Sequence, residues 1–98
     1  RLTTAEMKGP RDIEAKKATK VIPVQSRPFD VVVDEDEKYA FVSCHASDVV
    51  SVIDLDTQEE VLLLETGPAP VDMSLSDGQL LVADSTGFSI YEVNQLPL

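Results

Sequence analysis

An all-β fold built from repeated four-stranded antiparallel units is predicted, and three observations carry that prediction. Residues 28–54 return in degenerate form about forty residues later, so one structural unit is present twice. From residue 19 onward, short runs rich in β-branched residues alternate with polar turn residues. None of these runs makes a convincing helix. A unit of four short strands recurring at this period reads as a β-propeller blade. The predicted fold is therefore a β-propeller segment of about two four-stranded antiparallel blades, part of a larger or oligomeric propeller.

The two copies align residue by residue. Arg27-Pro28-Phe29-Asp30-Val31-Val32-Val33 faces Ala69-Pro70-Val71-Asp72-Met73-Ser74-Leu75, an offset of about 42. Phe41-Val42-Ser43 then matches Leu81-Val82-Ala83 at about 40, and Ser51-Val52-Ile53-Asp54 matches Ser89-Ile90-Tyr91-Glu92 at about 38. The shrinking offset places small losses in two loops, while the strands keep their pattern.

Taken in order, residues 1–18 are polar and mixed in charge, and they read as a tail or an arm lying on a neighbour. Residues 12–18 could make two turns of helix, a length that is marginal in water. Residues 19–98 form the β region. Within it, residues 19–24 read as an outer strand, with Pro23 suggesting an edge or a stop. Residues 28–65 make a full blade, with strands at 29–33, 39–43, 49–54 and 60–64. Residues 70–98 make a partial blade, with strands at 71–75, 79–83 and 88–93. The continuous runs Val31-Val32-Val33 and Leu62-Leu63-Leu64 fit strands covered on both faces.

Turn chemistry agrees with this division. Ser76-Asp77-Gly78 between two apolar runs signals a hairpin, since glycine accepts positive φ at no steric cost. Residues 34–37 hold the same place in the first copy without a glycine, which predicts a longer turn built on Asp side chains. Residues 54–58 form a further hairpin connection, with Asp56 placed to cap its own turn.

Composition narrows the function classes. The 98-residue chain carries 8 Lys and Arg against 18 Asp and Glu, a formal charge of −10, with 43% hydrophobic residues and no Trp. That balance suits an acidic domain and argues against nucleic acid as a partner. No apolar run approaches the ~20 residues needed to cross a bilayer, so no membrane span is expected. A single Cys rules out an internal disulfide and leaves the redox compartment open. The chain starts at Arg1 without a recognisable signal sequence, which is equally expected of a processed chain and of a fragment.

Two motifs carry a family resemblance. Lys38-Tyr39-Ala40-Phe41-Val42-Ser43 and Val50-Ser51-Val52-Ile53-Asp54, following the strand after Pro28, resemble a YVTN-type β-propeller repeat. About eighty residues are covered by the resemblance. Departures from the pattern are Ser43-Cys44, where the family has a small residue and Asn, and Asp34-Glu35-Asp36-Glu37 in place of Pro-Asp-Gly-Lys. The second copy, with Val82-Ala83-Asp84 and Phe88-Ser89-Ile90-Tyr91, also leans toward the related NHL-type blade. The resemblance implies an exported protein, periplasmic or extracellular, with a cytoplasmic place still open. It also implies that the ring is completed by further blades, from the same parent chain or from other copies or chains. Closure of the last blade by residues 19–24 is the family's usual route. A compact sandwich of about eight strands is the alternative fold.

The resemblance places several loops on one face around the channel mouth, and this face would carry Arg27, Cys44, His45, Asp48 and Asp84. Cys44 beside His45 could be an activated thiol or a soft-metal ligand. Adjacent strand residues point to opposite faces, however, and the chain has one His and one Cys, too few to close such a site alone. Asp30 and Asp72 occupy the same place in both copies; a ring of them could hold a cation such as Ca2+, or each could cap nearby backbone N–H groups. Glu35, Asp36, Glu37, Glu59 and Glu60 read as a solvated acidic rim. No nucleophile-base-acid set, phosphate-cradling loop or nucleotide fingerprint occurs, and no cofactor is expected. The favoured function is a binding or scaffolding module that engages a protein or polymer through its channel face. The alternative is a piece of a redox or hydrolytic propeller enzyme whose site is completed by other blades or a cofactor.

Overall fold

Short runs rich in β-branched and aliphatic residues, broken by turns that accept positive φ, produce seven strands in the computed structural model, which describes residues 14–98. These are β1 (Pro28–Val33), β2 (Tyr39–Cys44), β3 (Val49–Asp54), β4 (Glu59–Glu65), β5 (Met73–Ser76), β6 (Gln79–Asp84) and β7 (Gly87–Glu92). A single 3-10 turn, Val93–Gln95, follows β7. The strands form two antiparallel sheets, each a simple meander: β1-β2-β3-β4, then β5-β6-β7. No strand crosses from one sheet to the other, unlike the Greek-key connections of an immunoglobulin-like sandwich.

The hairpins show why the turns lie where they do. Asp77 and Gly78 both take positive φ, 52° and 75°, the combination that matches the twist of a two-residue hairpin. In the first copy Glu37 takes φ 57°, and the turn is longer, as expected. Asp34 holds it through Oδ1, which accepts from the N–H groups of Lys38 at 2.8 Å and Tyr39 at 3.2 Å. The connection after β3 is capped differently from expectation. Asp54, not Asp56, accepts from the N–H groups of Asp56 and Thr57, because the carboxylate that opens an Asx turn must precede the donors it serves.

Cross-strand partners share a face, and this sorts the core. Val32, Phe41, Val52 and Leu62 pair in one row, and Asp30, Ser43, Val50 and Leu64 in the next. In the second sheet the corresponding rows are Leu75, Leu80 and Tyr91, then Met73, Val82 and Ser89. Phe41, Val50, Val52, Leu64, Leu80 and Val82 join into one buried cluster, so the two sheets stack through these faces. Burying a side chain of this size is worth about 1.5–3 kcal/mol, which makes this cluster the main source of cohesion between the sheets.

Two expectations are corrected. Residues 19–24 form no strand: Pro23 lacks an N–H, and the segment pairs with no sheet edge. Instead Ile22 and Val24 border a groove with Phe29, Val31 and Val42 on the outer face of the first sheet. Nor are the apolar runs covered on both faces. Val31, Val33 and Leu63 point away from the core and are 58%, 48% and 45% exposed. Of the proposed N-terminal arm, residues 1–13, including the start of the possible short helix, lie outside the described residues; residues 14–18 have no regular structure.

Candidate functional site

One end of the two sheets gathers four connections: residues 25–30, 44–48, 66–70 and 84–87. Hydrogen bonds tie them to one another. The His45 N–H donates to the Arg27 carbonyl at 2.8 Å, and the Ala46 N–H to that of Ser26 at 3.3 Å. Thr66 N–H donates to the Asp48 carbonyl at 3.1 Å, and Ser85 N–H to that of Pro68 at 2.9 Å. The residues expected on one face are therefore brought to one end of the molecule.

Most of the carboxylates at that end are engaged with backbone donors. Asp48 Oδ1 accepts from the Ala69 N–H at 2.9 Å and so joins the loops of the two sheets. Asp84 Oδ2 accepts from the Gly67 N–H at 3.1 Å, while its Oδ1 takes both the N–H and the hydroxyl of Thr86 at 2.8 Å. The Thr86 N–H and hydroxyl, stabilising the anion, hold the Asp84 carboxyl below its ordinary value. Asp30 uses both oxygens: Oδ1 accepts from its neighbour Val31 at 2.8 Å, and Oδ2 from Met73, in the other sheet, at 2.9 Å. Its repeat-mate Asp72 is exposed. Among the described residues there is no group of three or more His, Cys, Asp or Glu side chains able to hold a metal ion.

Cys44 and His45 diverge. Cys44 is fully buried, its Sγ directed at the Val42 carbonyl at 3.5 Å, and burial pushes the thiol above its ordinary pKa. A buried thiol with a raised pKa is a poor nucleophile. His45 instead stacks its ring on Phe29, with centroids 6.4 Å apart. Arg27 is exposed and sits at φ 58°, as its repeat-mate Ala69 does at 57°. Two non-glycine residues held in the left-handed region at matched positions, each before its copy's proline, show that the repeat extends to backbone conformation.

No protein-family model, curated protein or solved structure matches this chain.

Several structural residues at this end carry weaker signals in the sequence. Ser43, fully buried, donates through Oγ to the Val71 carbonyl at 2.7 Å and accepts from the Asp30 N–H at 3.1 Å, linking the sheets a second time. Its matched residue is Ala83, so this link has no counterpart. Gly67 lies against Asp84: a Cβ there would stand 2.5 Å from the carboxylate, so only glycine permits the approach. On the outer face Glu60 accepts from the hydroxyl of buried Ser51 at 2.6 Å and from Gln25 at 3.0 Å, holding the chain before β1 against the sheet. Tyr91 bridges the sheets at the far strands, its hydroxyl donating to the Glu65 carbonyl, and burial raises its pKa.

Proposed function

We propose that the two sheets are successive blades of a β-propeller scaffold, and that the end bearing Arg27, His45, Asp48 and the 84–87 loop binds a protein or polymer partner. The observation that carries this reading is the tying of four loops, from both sheets, into one surface. Loops held on a rigid stack of strands are the usual place for recognition, because the scaffold fixes their positions in advance. The blade reading is supported by the meander order of each sheet, the face-to-face stack and the matched backbone at Arg27 and Ala69. The carboxylates of Asp30, Asp48 and Asp84 serve in this reading as struts that shape the surface. Arg27 and His45 are the side chains left to meet a partner. An exported location accompanies the reading.

Site-specific photocrosslinking tests it. A crosslinker at Ala46, in the loop surface, is expected to give discrete protein or polymer adducts in extracts of the source cells. The same group at Asp56, on the opposite turn, is expected to give none. Equal labelling from both positions would contradict a binding surface at the Arg27 end.

A further inference from the structure

The two outer faces of the stack carry exposed apolar side chains, that of the first sheet bordered by the segment of Ile22 and Val24, and the repeat relates each to a face that is already buried. On the second sheet Ser74, Leu81, Phe88 and Ile90 share the outer face, with Phe88 64% and Ile90 55% exposed. Through the repeat these positions match Val32, Phe41, Val50 and Val52, which form the buried face of the first sheet. On the first sheet Val31, Val33 and Val42 lie on the outer face, and they match Met73, Leu75 and Val82, which form the buried face of the second. The interface inside the chain thus joins one face type to the other, and each chain leaves one of each type unpaired. Exposed apolar sheet faces of this kind mark association surfaces.

We propose that a second copy of this chain docks head to tail, laying its Val31 face on the Phe88 and Ile90 face of the first. The step rests on reading the two sheets as equivalent units, and it repeats the contact those sheets already make. Asp30 accepts from the Met73 N–H across the internal interface. Its match, exposed Asp72, then faces the backbone of Val31, the match of Met73, in the second copy, where it shares the Val31 N–H with Asp30 Oδ1. The Ser43 to Val71 bond has no equivalent there, since Ala83 stands at the matched position. Residues 18–22 match residues 60–64 of β4 at the offset of about 42. On docking, the segment that covers Val31 and Val42 leaves that groove and lies along β7, as β4 lies along β3. Among the described residues β7 has no neighbour on that edge. Because the two surfaces differ, the contact is heterologous and propagates until it closes, which for rings of four to eight blades takes about two to four copies.

The experiment is sedimentation equilibrium of the full chain, with Phe88→Asp and Val31→Asp each blocking one face. The wild type is expected at a multiple of the 10.7 kDa chain mass. Each variant alone is expected to lose at least tenfold in association, while an equimolar mixture forms a one-to-one pair through its two intact faces. Ile90→Glu, at a second exposed position, repeats the arm if Phe88→Asp fails to fold by circular dichroism. A folded monomeric wild type, or variants that keep the wild-type mass, would overturn the docking. Hydrogen exchange on the same samples separates the two readings. Protected amides in both sheets of a monomer overturn docking alone, whereas an unprotected second sheet overturns the equivalence of the sheets as well.

Discussion

The two sheets place residues of the same kind at matched positions and bury them differently. Phe41 and Val52 are fully buried; their matches Leu81 and Ile90 lie on an open face, Ile90 being 55% exposed. Asp30 reaches across to Met73, whereas Asp72 is exposed. Since the side chains are alike in character, the difference comes from what lies opposite. The first sheet has the second against it, and the second has nothing on its outer face among the described residues. Burial here is set by neighbours, with chemistry only making it favourable.

The largest expected break in the comparison is at the matched apolar pair. In the Val31→Asp background, which would block the proposed docking, Phe41→Ala is expected to lower the unfolding free energy by about 3–5 kcal/mol in urea titrations. Ile90→Ala in that background is expected to change it by about 0.5 kcal/mol or less. Comparable losses at both positions would mean that the outer face is covered within one chain. The matched carboxylates come next. Asp30→Ala leaves the N–H groups of Val31 and Met73 without their acceptor and is expected to cost about 1–3 kcal/mol, against about 0.5 kcal/mol or less for Asp72→Ala.

Two titrating groups sharpen the same contrast with smaller effects. Asp84 has a lowered pKa, so its contribution is present above the ordinary carboxylate value of about 3.9 and is lost as pH falls through the folded value. Asp84→Asn should therefore flatten the acid limb of a stability profile measured by denaturant midpoint. Tyr91, with its pKa raised by burial, favours the neutral phenol in the folded state. Its contribution is intact below the ordinary value of about 10 and falls as pH rises beyond it, and Tyr91→Phe should remove that alkaline slope. A modest effect is expected for Gly67→Ala, where the side-chain end of Asp84 can give way. A shift of about 1 kcal/mol, reduced in the Asp84→Ala background, is expected.

Much of this architecture was legible in the sequence for definite reasons. Strand positions followed from short β-branched runs bounded by polar turns such as Asp77-Gly78, and the two copies of the repeat correspond to the two sheets. The strand expected at residues 19–24 was not legible in the same way, because pairing needs a sheet edge that local residues do not specify. Asp54 caps the turn where Asp56 is expected to, since composition marks a turn more readily than its register. At the loop surface, a common face for Arg27, Cys44, His45, Asp48 and Asp84 was expected only from the family resemblance. Their roles were not legible: whether Asp30 and Asp48 bind a ligand or cap a backbone depends on donors tens of residues away. Ser43 and Gly67 carry only weak signals, since a small residue looks ordinary until the neighbouring sheet is placed against it.

The central claim is that the two sheets stack as consecutive equivalents, joined where Asp30 accepts from Met73. Hydrogen exchange at the Met73 amide tests this most directly, because its partner lies in the other sheet and 43 residues away. Slow exchange in the wild type is expected, becoming fast in Asp30→Ala while the amides of β6 stay protected. A Met73 amide that exchanges at the coil rate in the wild type, or that ignores the loss of Asp30, would contradict the stack.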